Sequence, residues 1–227
     1  MIKNKGGDVI VNYEEIMKAF QEKEFHIDDY ISIVVESKDI REKLVQNLIE
    51  KTHINVYYRS YYLINAVSQT NPELFYEYWD SFVSLRYHKN SYHRNIFHWI
   101  ITNLIPVDNQ NKFDKIKKEY FSQIKDVKVL TGLEAMKDII IMSQYRPDLE
   151  EEIISLFLDE NMIKDYTDKQ KDRFHFHSME YFDSLLDRKK DERLLDFIKT
   201  CLHAKNTTTA KKARQILKKH TNHICDE

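Results

Sequence analysis

The amino-acid sequence predicts an all-α protein. Three glycines and three prolines in 227 residues are too few for the tight turns that sheet proteins need. One segment is written twice, at 66–83 and 141–158, with six of eighteen positions identical at an offset of 75 residues. The three prolines, Pro72, Pro106 and Pro147, follow three apolar-periodic segments at spacings of 34 and 41 residues. Repetition on this scale is typical of stacked helix pairs.

The two copies share a turn between two apolar-periodic segments. AVSQTNPELFYEYWDSFV and IMSQYRPDLEEEIISLFL both contain the pattern Ser-Gln-x-x-Pro-acid-Leu. Proline disfavours helix in the residue before it and is tolerated in the first turn of the next helix. Each copy therefore predicts one helix that ends before its proline and a second helix that begins at it. We call the segment from the shared serine to the shared leucine, at 68–74 and 143–149, the repeated turn.

Apolar residues three and four apart predict the other helices. Residues 1–11 are expected to form a loose arm, and Asn12 is placed to cap the first helix, with Glu14 and Glu15 in its first turn. Either Asn206 or Thr207 is placed to cap the last one. After the first helix, the remaining helices are predicted at 27–36, 39–51, 55–70, 73–86, 91–104, 112–124, 126–143, 148–158, 169–186, 191–202 and 206–220.

About five helical pairs are expected in a single domain over 1–227, with the clearest repeats in 55–158. The chain resembles the HEAT-repeat family over about 27–220. The resemblance rests on the repeat period, the turn prolines, and the basic residues Arg59 and Arg94 early in the first helices. The resemblance implies a right-handed α-α superhelix whose second helices line a concave surface; armadillo-like stacking is the alternative. The third repeat departs from the family, because Thr131-Gly132 stands where a basic residue is expected.

A non-catalytic scaffold that binds a protein or peptide on its concave face is the function that the resemblance implies. The helix phase predicts which second-helix positions face solvent and contact the partner. They are Tyr76, Glu77, Asp80, Ser84, Lys117, Glu151, Glu152 and Ser155.

Aromatic residues are concentrated between Tyr57 and Trp99, where 13 occur in 43 residues. Such rings stack on bases or anchor a partner peptide. Tyrosines four residues apart, such as Tyr58 and Tyr62, also fill the space between helices. The sequence favours packing, because Phe75 and Phe82 fall on one helical face, and leaves the stacking surface as the alternative.

Two charge blocks are either solvated helix faces or docking surfaces of opposite sign. Acids occupy six positions in 147–163, a stretch without any basic residue. The basic patch near the C-terminus consists of Lys211, Lys212, Arg214, Lys218 and Lys219. The net charge of −2 gives no overall attraction to nucleic acid or anionic membrane.

Nucleic-acid binding is the alternative function. The alkylpurine DNA glycosylases are built from HEAT-like repeats, and the chain is similar to them in size and helical content. That family places an aspartate one turn after a tryptophan on a basic inner surface. Here Asp80 follows Trp79 directly and Tyr76 stands one turn earlier, so the match to the family's pattern is incomplete.

No motif predicts a catalytic residue, a metal or a cofactor. His88, His93 and His98 recur every five residues, whereas helical metal pairs need a spacing of three or four. Cys201 and Cys225 lie outside any Cys/His cluster, as is typical of a reducing cytosol. The longest apolar runs are too short for a signal peptide or a membrane span, so we expect no membrane partner and a cytoplasmic location.

Overall fold

A computed structural model of the chain describes residues 12–50 and 53–221. Every regular element within these ranges is an α-helix or a 3-10 turn, which confirms the all-α fold class. None of the helices found there combines the length and apolar composition that crossing a membrane requires. The predicted arm at 1–11, the end of the predicted helix at Lys51, and Cys225 lie outside the described residues.

The chain splits into two compact units, unit 1 Met1–Lys115 and unit 2 Ile116–Glu227. The boundary between them lies within the helix Lys112–Ser122. The single domain over 1–227 stays a prediction. Within the described residues, the α-helices in chain order are α1 Tyr13–Ala19, α2 Asp28–Glu36, α3 Lys38–Glu50, α4 Ile54–Ser68, α5 Trp79–Ser84, α6 Ser91–Leu104, α7 Lys112–Ser122, α8 Val129–Ser143, α9 Glu150–Leu158, α10 Asp168–Leu186, α11 Glu192–Thr200 and α12 Thr207–Thr221.

Polar side chains define the starts of the first and last helices. The Asn12 side chain accepts the N–H of Glu15 at 3.0 Å, and the Glu15 carboxylate accepts the N–H of Asn12 at 3.3 Å. This reciprocal pair satisfies two donors that would otherwise lack partners. At α12, Asn206 Oδ1 accepts the N–H of Thr208 at 3.0 Å, so Asn206 rather than Thr207 supplies the acceptor.

The repeated turn has the same backbone in both copies. α4 and α8 are each 15 residues long and are offset by 75 residues at both ends. Asn71 and Arg146 precede the prolines with φ, ψ of −134°, 58° and −127°, 63°. A 3-10 turn begins at Pro72 and at Pro147. The predicted helix ends before these prolines are confirmed, and α6 likewise ends before Pro106.

The single helix predicted over 73–86 is wrong. Two 3-10 turns, Pro72–Leu74 and Tyr76–Tyr78, precede α5, which has only six residues. Phe75 separates the turns with φ −115° and ψ −3°, and its ring is fully buried. Aromatic residues favour helix less than glutamate does, so burial of these rings sets the local backbone here. In the second copy, where glutamates follow the turn, α9 is continuous over nine residues.

Each unit buries its own set of aromatic side chains. Trp79 and Phe82 are 1 % and 0 % exposed, which confirms that they pack between helices. The fully buried aromatic side chains are Phe20, Phe75, Trp79, Phe82, Phe97 and Phe113 in unit 1, and Tyr120, Phe174 and Phe182 in unit 2.

Hydrogen bonds join helices whose residues are 34–38 apart in sequence. In unit 1, the Asn103 side chain on α6 donates to Asn65 Oδ1 at 3.0 Å and to Ser68 Oγ at 2.9 Å on α4. In unit 2, the buried Asp172 on α10 accepts the N–H of Asn206 at 2.7 Å through its carboxylate. These spacings fall within the range of 34 to 41 residues that the prolines predict.

Candidate partner-binding surfaces

Five of the eight predicted contact positions pair with residues distant in sequence within their own unit. Glu77 in unit 1 and Glu152 in unit 2 are equivalent at the 75-residue offset. Lys38 Nζ lies 2.7 Å from Glu77, and Lys117 Nζ lies 2.5 Å from Glu152. In both copies the glutamate therefore pairs with a lysine of an earlier helix, and Glu77, Lys117 and Glu152 are engaged within the molecule.

The residue before each of these glutamates contacts residues that lie later in the chain. The Tyr76 hydroxyl donates to Asp108 at 2.5 Å, and burial together with this carboxylate raises the pKa of Tyr76 to about 12. At the equivalent position, Glu151 accepts from Lys189 and Arg193, each at 2.9 Å. These hydrogen bonds lower the pKa of Glu151. Both residues therefore link repeats.

The other three predicted contact residues, Asp80, Ser84 and Ser155, are exposed. The Ser84 hydroxyl donates to the Ser81 carbonyl at 2.6 Å, and the Ser155 hydroxyl donates to the Glu151 carbonyl at 2.9 Å. Within the described residues, Asp80 makes no hydrogen bond or ion pair. The predicted second-helix surface thus offers few free side chains, and five of its eight residues connect repeats.

The C-terminal basic patch divides into two faces of α12. Lys219 Nζ lies 3.0 Å from Asp183 and 2.7 Å from Asp187, and Lys212 Nζ lies 3.9 Å from Asp183. These two lysines neutralise the acids of α10. The remaining three cations are exposed and form no ion pair among the described residues; Lys211, Arg214 and Lys218 are called the α12 outer face.

Asp183, Asp187 and His220 present ligand atoms within 4.8 Å of one another. His220 Nε2 lies 2.8 Å from Asp183 and 3.7 Å from Asp187. The Lys219 ammonium lies as close to the same carboxylates and already supplies a positive charge. The chemistry of this group is that of an ion-pair cluster.

Unit 1 exposes a group of packed tyrosines on α4 and α6, the first helices of two predicted pairs. The Tyr58 ring makes edge-to-face contacts with Tyr62 at 5.1 Å and with Tyr92 at 5.4 Å, between ring centroids. Tyr62 and Tyr92 are 45 % and 47 % exposed. Burial and the adjacent phenols raise the pKa of Tyr58 to about 12. We call Tyr58, Tyr62 and Tyr92 the aromatic surface; Tyr61 stacks on Trp99 at 5.1 Å beside it.

A groove of about 400 Å³ borders the aromatic surface, and Tyr62 lines both. Its other lining residues are Lys23, Phe25, Ile27 and Arg59, and we call it the basic groove. Arg59 Nη1 donates to the Ala19 carbonyl at 2.8 Å, and its guanidinium lies 5.1 Å from the centre of the Phe25 ring. Sequence analysis marked Arg59 as a family feature but missed the groove, because Lys23, Phe25 and Ile27 lie at or beside a loop without periodicity.

His88, His93 and Cys201, which lie within the described residues, do not form a reactive cluster. His88 precedes α6, so helical spacing does not describe it, and its ring stacks on that of His93 at 4.0 Å. Stacked rings do not direct their nitrogens at one ion. Burial raises the pKa of the Cys201 thiol to about 11, which keeps it protonated at neutral pH.

Comparison with known proteins finds no family model that matches the chain and no significantly similar curated protein. The surfaces described above are therefore the basis for assigning a function.

Proposed function

We propose that the chain is a HEAT-like helical-repeat scaffold that binds a protein or peptide partner through the aromatic surface of unit 1 and carries out no chemistry. The similar backbone of the two repeated turns and the hydrogen bonds between residues 34–38 apart support the repeat assignment. The right-handed superhelix and its concave binding face stay predictions. The proposed contact surface lies on α4 and α6, the first helices of their pairs, because five of the eight second-helix positions are engaged within the molecule.

The observation that carries this proposal is the exposure of the packed tyrosines. Tyr62 and Tyr92 each leave nearly half of their surface in solvent, although their rings are held by Tyr58. Tyrosine combines apolar area with a polar tip and loses little conformational entropy, so it is enriched where partners bind. Rings that are already fixed by neighbours lose still less on binding.

Selection from a random-peptide phage library tests the proposal. The full chain should enrich a set of binding peptides, and Tyr62→Ser with Tyr92→Ser should weaken them at least about tenfold. The matched control is Tyr87→Ser with Tyr145→Ser, since these tyrosines are 71 % and 50 % exposed but lie outside the aromatic surface. Absence of any enriched peptide, or equal loss in both double variants, would contradict the proposal.

Nucleic-acid binding is retained as the second candidate because of the α12 outer face. Three exposed cations that have no carboxylate partner among the described residues lie at positions i, i+3 and i+7, on one side of the helix. Neutralising phosphates releases counterions, so each phosphate contact adds to the salt dependence of binding. The glycosylase-type alternative has less support, because Trp79 is buried and presents no face for stacking on a base.

A matched pair of triple variants tests this candidate. Changing Lys211, Arg214 and Lys218 to glutamine should lower the salt slope of duplex DNA binding by about 2 to 3. The control changes Lys205, Lys212 and Lys219, which pair with acids, to glutamine and removes the same charge. Equal slopes in wild type and in both variants would reject nucleic-acid binding through this face.

A further inference from the structure

Two cations in the basic groove lack a carboxylate partner among the described residues. Lys23 is exposed and makes no side-chain hydrogen bond or ion pair there. Arg59 donates only to backbone carbonyls, to Ala19 at 2.8 Å and to Lys23 at 3.5 Å. By contrast, Lys38 and Lys43 in the same unit both pair with acids. Neither cation of the groove therefore has a carboxylate partner in the part of the chain that the structure describes.

Arg59 is also held in place before any ligand arrives. The bond to the Ala19 carbonyl and the contact with the Phe25 ring fix the guanidinium at the groove wall. A guanidinium has five N–H donors, and most of those of Arg59 remain available. Its planar fork matches a carboxylate with two parallel hydrogen bonds, so a fixed arginine favours an anion of that shape.

The apolar wall of the groove is suited to an aliphatic or aromatic side chain but not to a stacked base. The Phe25 ring contacts the Arg59 guanidinium and stacks on Tyr30 at 5.3 Å with 16° between the rings. These contacts use part of the ring surface on which a nucleobase would stack. Half-buried Ile27 and the exposed part of Tyr62 complete an apolar lining next to the two cations.

We infer that the basic groove binds a short acidic segment of a partner polypeptide, with a carboxylate at Lys23 and Arg59 and an adjacent apolar side chain against Phe25 and Ile27; this rests on the peptide-binding function proposed above. Four exposed acids flank the groove in sequence without lining it: Glu22, Glu24, Asp28 and Asp29. These acids favour a ligand with little negative charge beyond the carboxylate bound at Lys23 and Arg59.

The selected peptides provide the probe. Peptides enriched on the full chain should carry aspartate or glutamate next to leucine, isoleucine, methionine or phenylalanine. Fluorescence anisotropy of the consensus peptide should show at least about tenfold weaker binding to Lys23→Glu and to Arg59→Gln, because each loses a charge-assisted contact. Raising the salt concentration should weaken wild-type binding and narrow this difference.

The control is Lys18→Glu, which reverses an exposed charge in the same unit outside the groove. It should leave affinity within about twofold of wild type. Arg59 also contacts Ala19 and Phe25, so its variant is checked by circular dichroism. If Arg59→Gln is unfolded, Lys23→Glu decides alone, since its side chain has no partner to lose among the described residues.

The outcomes separate this inference from the general function. Peptides that depend on Tyr62 and Tyr92 but not on Lys23 or Arg59 would overturn the acidic-ligand assignment and leave peptide binding intact. Failure to enrich any peptide would overturn both. A fluorescent ATP analogue is titrated alongside, and saturable nucleotide binding that Lys23→Glu abolishes would assign the cations to phosphate and overturn the inference.

Discussion

α4 in unit 1 and α8 in unit 2 have equal lengths and end in the same turn, yet the segments that follow them differ in chemistry. Ser68 and Ser143 each donate to the carbonyl three residues earlier, at 3.2 Å and 2.7 Å. Beyond the prolines, Phe75 is fully buried, whereas its equivalent Glu150 accepts from Arg188 and Lys189 at 2.8 Å. The same turn thus leads into an aromatic core in one copy and into an ion-pair network in the other.

This difference shows which positions of the repeat set geometry and which set chemistry. The shared serine, proline and leucine positions determine where the first helix ends and where the chain turns. The positions after them vary freely in type, provided that they satisfy a neighbour one repeat away. Five of the eight predicted contact residues pair within the molecule in this way, and their contact with a partner stays a prediction.

The largest expected effect is the loss of a buried ring in either copy. Phe82 and its equivalent Phe157 are 0 % and 7 % exposed. Phe82→Ala should lower the free energy of unfolding by about 3–5 kcal/mol, and Phe157→Ala by an amount near the lower end of that range. Urea unfolding measures both, with exposed Ser84→Ala as the control. A Phe82→Ala value no larger than that of the control would show that the ring is not part of the core.

A smaller effect is expected at Gly132, which is equivalent to Tyr57 in the first copy. A Cβ atom at Gly132 would lie 2.5 Å from the Ile124 carbonyl oxygen and 2.7 Å from the Tyr166 hydroxyl. That hydroxyl donates to the same carbonyl at 2.8 Å. Gly132→Ala should therefore destabilise the protein by about 1–3 kcal/mol through overpacking.

Intrinsic helix propensity predicts the opposite sign for Gly132→Ala, a gain of about 1 kcal/mol. Thermal unfolding distinguishes the two. Combining Gly132→Ala with Tyr166→Phe removes one of the two close contacts, so the double variant should lose less than the sum of the single losses. A stabilised single variant would show that the space around α8 relaxes easily.

The sequence predicted the helices well because their signals are local. Proline positions, capping residues such as Asn12, and three- and four-residue apolar spacing all act within one or two turns. The break at Phe75 was not predictable in this way, since burial of its ring depends on helices that are distant in sequence.

The candidate site was predicted less well, because charge partners lie about one repeat away. From sequence alone, Glu151 and Glu152 belong to an unpaired acidic block; in the structure they face Lys189 and Lys117. The basic groove depends on loop residues around Phe25 that follow no period. The uneven concentration of tyrosine between 57 and 99 was the one signal that pointed to the aromatic surface.

The two units should respond to acid in different pH windows. Burial and the neighbouring His88 lower the pKa of His93 in unit 1 to about 4 from an ordinary 6.5. Because the folded pKa is depressed, the stabilisation from neutral His93 is complete above about pH 6.5 and is lost as pH falls toward 4. In unit 2, the Lys189 hydrogen bond lowers the pKa of Glu150 below its ordinary 4.5, so this stabilisation is lost only under more acidic conditions.

Urea unfolding at several pH values checks this order. His93→Gln should flatten the stability profile between pH 6.5 and 4, whereas Glu150→Gln should leave the profile above pH 4.5 unchanged and flatten it below 4.5. Equal profiles for wild type and His93→Gln would mean that His93 is not held neutral by the fold.

The smallest expected effect concerns the glutamates that pair with an earlier lysine in each copy. The Lys117 and Glu152 side chains are 27 % and 45 % exposed, whereas those of Lys38 and Glu77 are 63 % and 48 % exposed. Water screens the second pair more, so a double-mutant cycle should give about 0.2–1 kcal/mol for Lys117 with Glu152 and a smaller coupling for Lys38 with Glu77. Both couplings should fade in 1 M salt, where the screening length is only about 3 Å. A coupling between Lys38 and Glu77 that equals or exceeds the coupling between Lys117 and Glu152, or that persists in high salt, would contradict this order. Geometry rather than solvent exposure would then set the strength of these ion pairs, and the two copies would be alike in ion-pair energy as well as in the backbone of the repeated turn.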